Sequence, residues 1–145
     1  VAPGGMRFNG PDLGAWYAAD DLRTAAAEVG HHLRREAVAR GVATIARTYR
    51  SYSAALIGDY LDIRGEQTLR PDVYDGTSYA ASQMLGEEVR SSGGAGILYD
   101  SVRLRSGVAI VAHRPRNIQG VVQADHFEIT VSATDRRIDV RKLAA

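Results

Sequence analysis

Residues 16–41 read Trp-Tyr-Ala-Ala-Asp-Asp-Leu-Arg-Thr-Ala-Ala-Ala-Glu-Val-Gly-His-His-Leu-Arg-Arg-Glu-Ala-Val-Ala-Arg-Gly, and they hold a strand, a helix and the signals that separate them. Trp16-Tyr17-Ala18-Ala19 is a short apolar run bounded by turn formers, which predicts a strand. Asp20 and Asp21 follow it; a carboxylate there accepts the orphan N–H groups of a helix start and suits its positive end. Leu22, Ala25, Val29, Leu33 and Ala37 recur at spacings of three and four, which predicts a helix over 22–40 with one apolar stripe. Gly41 is its stop.

Upstream, residues 1–14 are punctuated by Gly4, Gly5, Gly10, Pro11 and Gly14 and read as loop. Downstream, Tyr, Ser, Thr and Ile between Thr44 and Ile63 suggest one or two strands ending in Tyr60-Leu61-Asp62-Ile63. Residues 65–76 form a polar connection. A second helix is expected over 77–90, with Ala81, Met84, Leu85 and Val89 buried, ended by Ser91-Ser92-Gly93-Gly94. Two short strands follow, 97–99 and 108–111. The tail reads as a hairpin of 126–131 and 138–143 around Thr134-Asp135. The sum is one α+β domain over 1–145, with more strands than helices.

Composition narrows the chemistry. With no cysteine in 145 residues, disulfide scaffolds, thiolate metal sites and cysteine nucleophiles are excluded, and the cytoplasm is the default compartment. The net charge of +1 argues against a nucleic-acid binder relying on bulk electrostatics. Seventeen of the eighteen basic residues are Arg, whose planar forks bind phosphate and carboxylate bidentately. No apolar run approaches the ~18 residues of a membrane span. Val1-Ala2-Pro3-Gly4-Gly5 has neither the basic nor the apolar region of a signal peptide. Position 1 is not Met, so further chain upstream is expected.

Four places carry candidate chemistry. Gly5-Met6-Arg7-Phe8-Asn9 is a glycine-flanked Arg in a loop, which lets backbone and guanidinium approach a pyrophosphate. Tyr17, at the end of a short strand, offers a ring that could stack on a flat ligand, or pack in the core. Glu28, one position before Val29, is placed at the border of the apolar stripe; its carboxylate could stabilise an oxocarbenium ion or orient a ribose hydroxyl, or simply be solvated. Ser101 lies in a turn after the Gly93-Gly94-Ala95-Gly96 run and could hold a ligand amide or hydroxyl. His31 and His32 share the Glu28 side of the helix, but Glu-x-x-His-His without further ligands makes a poor metal site. There is no Gly-x-Ser-x-Gly elbow, Gly-x-Gly-x-x-Gly loop or P-loop.

Taken together and in order, these segments resemble the RES family. The matching text is Gly-Gly-Met-Arg-Phe-Asn at 4–9, Trp-Tyr-Ala-Ala at 16–19, Thr-Ala-Ala-Ala-Glu at 24–28 and Gly-Ile-Leu-Tyr-Asp-Ser-Val-Arg at 96–103. The resemblance implies an ADP-ribosyltransferase-like split β core with flanking helices, gripping NAD⁺ in a cleft. It implies an enzyme that breaks the nicotinamide–ribose bond by hydrolysis or phosphorolysis, with NAD⁺ as substrate and no separate cofactor or metal. Arg7 would hold the phosphates, with Asn9 as a further substrate contact. Tyr17 would stack on nicotinamide, Glu28 would stabilise the ribosyl cation, and Ser101 would fix the nicotinamide end. The family context is the bacterial toxin–antitoxin pair, with an antitoxin blocking the cleft and a toxin homodimer in the complex. The alternatives are an ADP-ribosyltransferase acting on protein, or an inactive interaction module of the same fold. Two departures stand out: Asp100 replaces the family's frequent Pro, which should alter the turn before Ser101, and the family usually has more chain before the Gly-Gly-Arg region.

Overall fold

Asp21 Oδ1 accepts the Thr24 N–H at 2.8 Å and starts α1 (Leu22–Arg40), which Gly41 ends in the left-handed region at φ 66°. The computed structural model describes residues 4–144; Val1, Ala2 and Pro3 of the N-terminal loop and Ala145 lie outside the described residues. Before α1 comes β1 (Trp16–Ala19). After it come β2 (Thr44–Leu56), β3 (Tyr60–Asp62), α2 (Ala80–Ser91), β4 (Gly96–Asp100), β5 (Val108–Ala112), β6 (Ile118–Ser132) and β7 (Ile138–Lys142).

The strands form two sheets. One has the order β1-β5-β4-β3, antiparallel except where β3 lies parallel to β4; the other is the antiparallel β2-β6-β7. This is the expected α+β split β core with flanking helices. Each sheet has its own apolar core. Phe8, Ile63, Val73, Val89, Ile97, Tyr99, Ala109 and Val111 pack between α2, the N-terminal loop and the four-stranded sheet. Ala26, Leu33, Ala37, Ile45, Ile129 and Val131 pack α1 onto the three-stranded sheet.

The buried line of α1 differs from the expected stripe. It runs through Ala26, Gly30, Leu33 and Ala37, whereas Leu22 is 47% exposed. The reason is close approach: a Cβ on Gly30 would meet the Ile138 side chain, so the helix turns its smallest residues to the sheet. At 100° per residue Glu28 then points away from that line, not along its border. It faces the second layer, where Thr24 is fully buried against Gly107. Thus α1 works as a shared wall between the two halves.

Two other boundaries move for local reasons. Thr77 and Ser78 stay out of α2 because the Asp75 carboxylate binds the Thr77 N–H at 2.8 Å, the Thr77 hydroxyl at 3.0 Å and the Ser78 N–H at 3.1 Å. Val89 is buried as expected, but Met84 is 67% exposed and α2 buries Ser82 and Gly86 in its place. The strand expected from residue 126 begins at Ile118. Its first half is exposed and is held by pairing with the far half of β2 through two register shifts.

A Cβ on Gly86 would run into the backbone carbonyl of Phe8, which cannot swing aside. Gly86→Ala should therefore destabilise the fold by about 3 kcal/mol, despite a better helix propensity. Thermal unfolding would show this as a clear drop in Tm; an unchanged or raised Tm would contradict the packing described.

Candidate functional site

The N-terminal loop is a tight turn closed by Met6 N–H to Asn9 C=O at 2.9 Å, with Gly5 at φ 80°. It turns Arg7 inward, leaving the residue 7% exposed. The guanidinium donates through Nη1 to the carbonyl oxygens of Asp75 at 2.8 Å and Val73 at 3.4 Å, and lies 4.8 Å from the Tyr79 ring centroid. Among the described residues no carboxylate lies within ion-pair distance of it, and its Nε and Nη2 donate to no protein acceptor. The loop is pinned from α2: the Ser82 hydroxyl donates to the Arg7 carbonyl, and Gln83 Nε2 donates to the Gly4 and Met6 carbonyls at 2.9 Å each.

Tyr17 reaches this loop from β1. Its hydroxyl donates to Asn9 Oδ1 at 2.6 Å and accepts the Phe8 N–H at 2.8 Å. Burial pushes that hydroxyl well above the usual tyrosine range, outweighing the Phe8 hydrogen bond and the Arg7 charge. Asn9 has its amide fully engaged, since Nδ2 also donates to the carbonyls of Leu13 at 2.8 Å and Gly10 at 3.3 Å. As placed, Asn9 shapes the loop, with both amide hydrogens committed to it.

Glu28 and Ser101, 73 positions apart, meet directly: the Ser101 hydroxyl donates to Glu28 Oε1 at 2.6 Å. Ser101 Oγ in turn accepts the N–H groups of Arg103 and Leu104 at 3.1 Å each, which winds the turn after β4 around it. Ser101 thus orients the Glu28 carboxylate. Asp100 takes up the work of the turn in its own way. Its Oδ2 accepts the Gly65 N–H at 2.6 Å and Gln67 Nε2 at 2.7 Å, and its N–H donates to the Tyr74 hydroxyl at 3.1 Å, so β4 is latched to the 65–76 connection.

Tyr99 lies buried where these parts converge. Its hydroxyl is held far above its usual range by burial first, then by Glu28 and Tyr17, with Arg7 pulling the other way. His32 lies on the other side of Glu28. Burial lowers its pKa against the pull of Glu28, and Arg103, Arg35 and Arg7 add to the lowering. The structure therefore gathers Arg7, Tyr17, Glu28 and Ser101 from four segments and adds Tyr79 and Arg103, which sequence reasoning passed over, and His32, which it weighed only as a metal ligand. Of the two passed over, Arg103 had a signal, standing two places after Ser101 in the same run.

His31 and His32 meet edge to face with centroids 5.3 Å apart, and among the described residues no group of three or more His, Asp or Glu is placed to share a metal ion. The surface hollow between β3 and α2, lined by Tyr60, Leu85 and Glu88, and the one at the β6–β7 end, lined by His126 and Lys142, contain none of the gathered residues. Neither hollow joins an acid–hydroxyl pair to an arginine without an acid partner, so the candidate site lies at the cluster. No helix among the described residues is long and apolar enough to cross a membrane.

Fold and cluster together define a class: a split-sheet α+β domain that sets a carboxylate–hydroxyl pair beside a buried, acid-free arginine. The chain belongs to the RES domain family, whose match covers residues 1–132. Among solved structures it is similar to a chain of the crystal structure of the M. tuberculosis MbcT-MbcA toxin-antitoxin complex. The TM-score is 0.61 at 20% identity, over 84% of this chain and 73% of that one. No curated protein sequence matches it.

Two measurements check this geometry. Tyr17→Phe leaves Asn9 Oδ1 and the Phe8 N–H without their partner, so it should cost about 1–3 kcal/mol in denaturant unfolding; a cost near zero would contradict the buried bonds. The second is pH. Burial, with Arg103 next in effect, holds His31 at about 4, below the ordinary 6.5, and lowers His32 and His113 as well. As pH falls through 6.5 the unfolded chain takes up protons that the folded chain refuses. Stability should thus be full above pH 7 and decline between about 6.5 and 4, by about 1–2 kcal/mol for His31 after solvent screening. His31→Gln should flatten that decline in a Tm-against-pH series.

Proposed function

We propose that this RES domain binds NAD⁺ and breaks the bond between nicotinamide and ribose. The observation that carries the reading is the 2.6 Å bond from Ser101 to Glu28, in the same half of the molecule as a buried guanidinium whose remaining donors face no acceptor among the described residues. NAD⁺ has the matching chemistry: an anionic pyrophosphate for arginine and a ribose that turns cationic as the ring leaves. Nicotinamide departs easily, because the bonding pair returns to a cationic ring nitrogen and neutralises it. The protein's work is then to orient the substrate and to stabilise the positive charge left on the ribose.

In this account Arg7 holds a phosphate, and Tyr17 keeps the Arg7 loop in shape while its ring borders the nicotinamide end. Glu28 supplies the negative charge facing the ribosyl cation, and Ser101 keeps that carboxylate on one aim. Capture of the cation by water adds hydroxyl to the anomeric carbon and releases a proton, giving ADP-ribose; capture by hydrogen phosphate forms the C–O bond to phosphate and gives ADP-ribosyl phosphate, whose ester then loses its remaining proton near neutral pH. Loss of NAD⁺ would make the enzyme toxic to its own cell. An antitoxin covering the cleft, with the toxin as a homodimer in the complex, is the matching biology, in keeping with the toxin–antitoxin complex that the fold resembles.

Purified protein incubated with NAD⁺, with and without phosphate, should release nicotinamide, and mass analysis of the other product should give the acceptor. Glu28→Gln should remain folded and slow turnover by on the order of 10²–10³, the usual loss for one well-placed electrostatic partner. Wild-type turnover in folded Glu28→Gln protein would remove Glu28 from the mechanism, and ADP-ribose found on protein would make the chain a transferase.

A further inference from the structure

Arg7 is not the sole guanidinium at this site without an acid partner. Arg103 is half-buried, and among the described residues it too has no carboxylate within ion-pair distance. Its Nη2 donates to the Gly76 carbonyl at 3.1 Å and to the Tyr79 hydroxyl at 3.3 Å, which leaves Nε and Nη1 unused. Tyr79 therefore stands between two cations, with Arg7 over its ring and Arg103 at its hydroxyl. Like charges brought to one phenol repel, and partial burial strengthens the repulsion. Seven arginines, such as Arg47 with Glu36 and Arg90 with Glu87, hold a carboxylate among the described residues. What sets Arg7 and Arg103 apart from the other arginines without one is that both touch Tyr79 and both are anchored to carbonyls of one connection, which suits a ligand that brings two adjacent negative charges.

We propose that Arg7, Tyr79 and Arg103 form a clamp for a pyrophosphate, with Arg103 as its second arm. This deepens the NAD⁺ reading and rests on it for the identity of the ligand, but the clamp itself requires only a diphosphate. Tyr79 sets the spacing of the two forks, each fork holds one phosphate, and a lone phosphate fills half the clamp. Arg103 also joins the clamp to the Glu28–Ser101 pair, because its own N–H donates to Ser101 Oγ at 3.1 Å. A dinucleotide held at the clamp would thereby present the neighbouring ribose to Glu28.

Calorimetric titration with inorganic pyrophosphate, inorganic phosphate and ADP-ribose tests the clamp without depending on turnover. Wild-type protein should bind pyrophosphate and ADP-ribose more tightly than phosphate. Arg103→Ala should weaken pyrophosphate and ADP-ribose by about ten- to a hundred-fold, the loss of one charge-assisted fork. Arg103→Lys, which keeps the charge and loses the fork, should recover only part of it. Arg105→Ala, at an exposed position in the same turn, should bind like wild type. If Arg103→Ala does not fold, Arg103→Lys and Arg103→Gln carry the test with Tm as the check. Unaltered pyrophosphate affinity in folded Arg103 variants, or no pyrophosphate binding by wild type, overturns the clamp. Pyrophosphate binding that needs Arg103, in a protein that releases no nicotinamide from NAD⁺, upholds the clamp and overturns the proposed reaction.

Discussion

Arg7 is a full positive charge kept 7% exposed, with no carboxylate within ion-pair distance among the described residues, and much of this half of the molecule is arranged around that fact. The Asp75 carboxylate feels its charge from beyond that distance, and a buried ion without a contact partner costs several kcal/mol, so the fold must solvate it internally. It does so with dipoles and one aromatic face: two carbonyls of the 65–76 connection and the Tyr79 ring. The rest follows from holding those pieces still. Asp75 winds Thr77 and Ser78 around its carboxylate, Asp100 latches the connection to β4, and α2 offers Gly86 and Ser82 where the Arg7 loop lies against it. A protein that needed only stability would do as well with an apolar residue at position 7. On the proposed reading, the arrangement prepares a place for an anion.

The second constraint is the double use of α1. Its small-residue line packs on the three-stranded sheet, and its reverse, with Thr24, Glu28, His31 and His32, faces the four-stranded half. Because the helix is fixed by packing on one side, the Glu28 carboxylate on the other is held by the wall it stands on and by Ser101. Preorganisation of this kind is what electrostatic stabilisation of a forming cation requires, since a carboxylate that had to reorient during the reaction would lose much of its effect. Buried Tyr99 feels both the Glu28 and the Arg7 charges, so the site carries both signs within one half of the molecule.

The elements with strong local signals were legible in the sequence. Asp21, the helix it starts and the Gly41 stop could be read directly, as could β1, β4, β5 and β7. What escaped reading was decided by contacts between distant segments. The buried face of α1 depends on Ile138 pressing against Gly30, which no periodicity over 22–40 contains. Met84 reads as core, yet the Arg7 loop claims the Ser82–Gly86 face of α2. The first half of β6 carries Gln119, Gly120, Gln123 and Asp125 and lacks alternation because it is not packed; pairing with β2 alone makes it a strand. At the site, the residue types were legible through the family pattern, but their contacts were not. Asn9 looked like a ligand contact and has its amide committed to the loop, while Tyr79 and Arg103 stand out only once the chain has folded around Arg7.

The account rests on Glu28 and Ser101 acting as one unit on a substrate held by arginine. The most direct test is a double-mutant cycle on nicotinamide release from NAD⁺, comparing wild type, Glu28→Gln, Ser101→Ala and the double variant, each with its fold checked by circular dichroism. If Ser101 works through Glu28, the double variant will be no slower than Glu28→Gln alone, because once the carboxylate is gone its orienting hydroxyl has nothing left to aim. Losses that multiply would show two independent contributions, and folded wild-type protein that releases no nicotinamide would contradict the account at its centre.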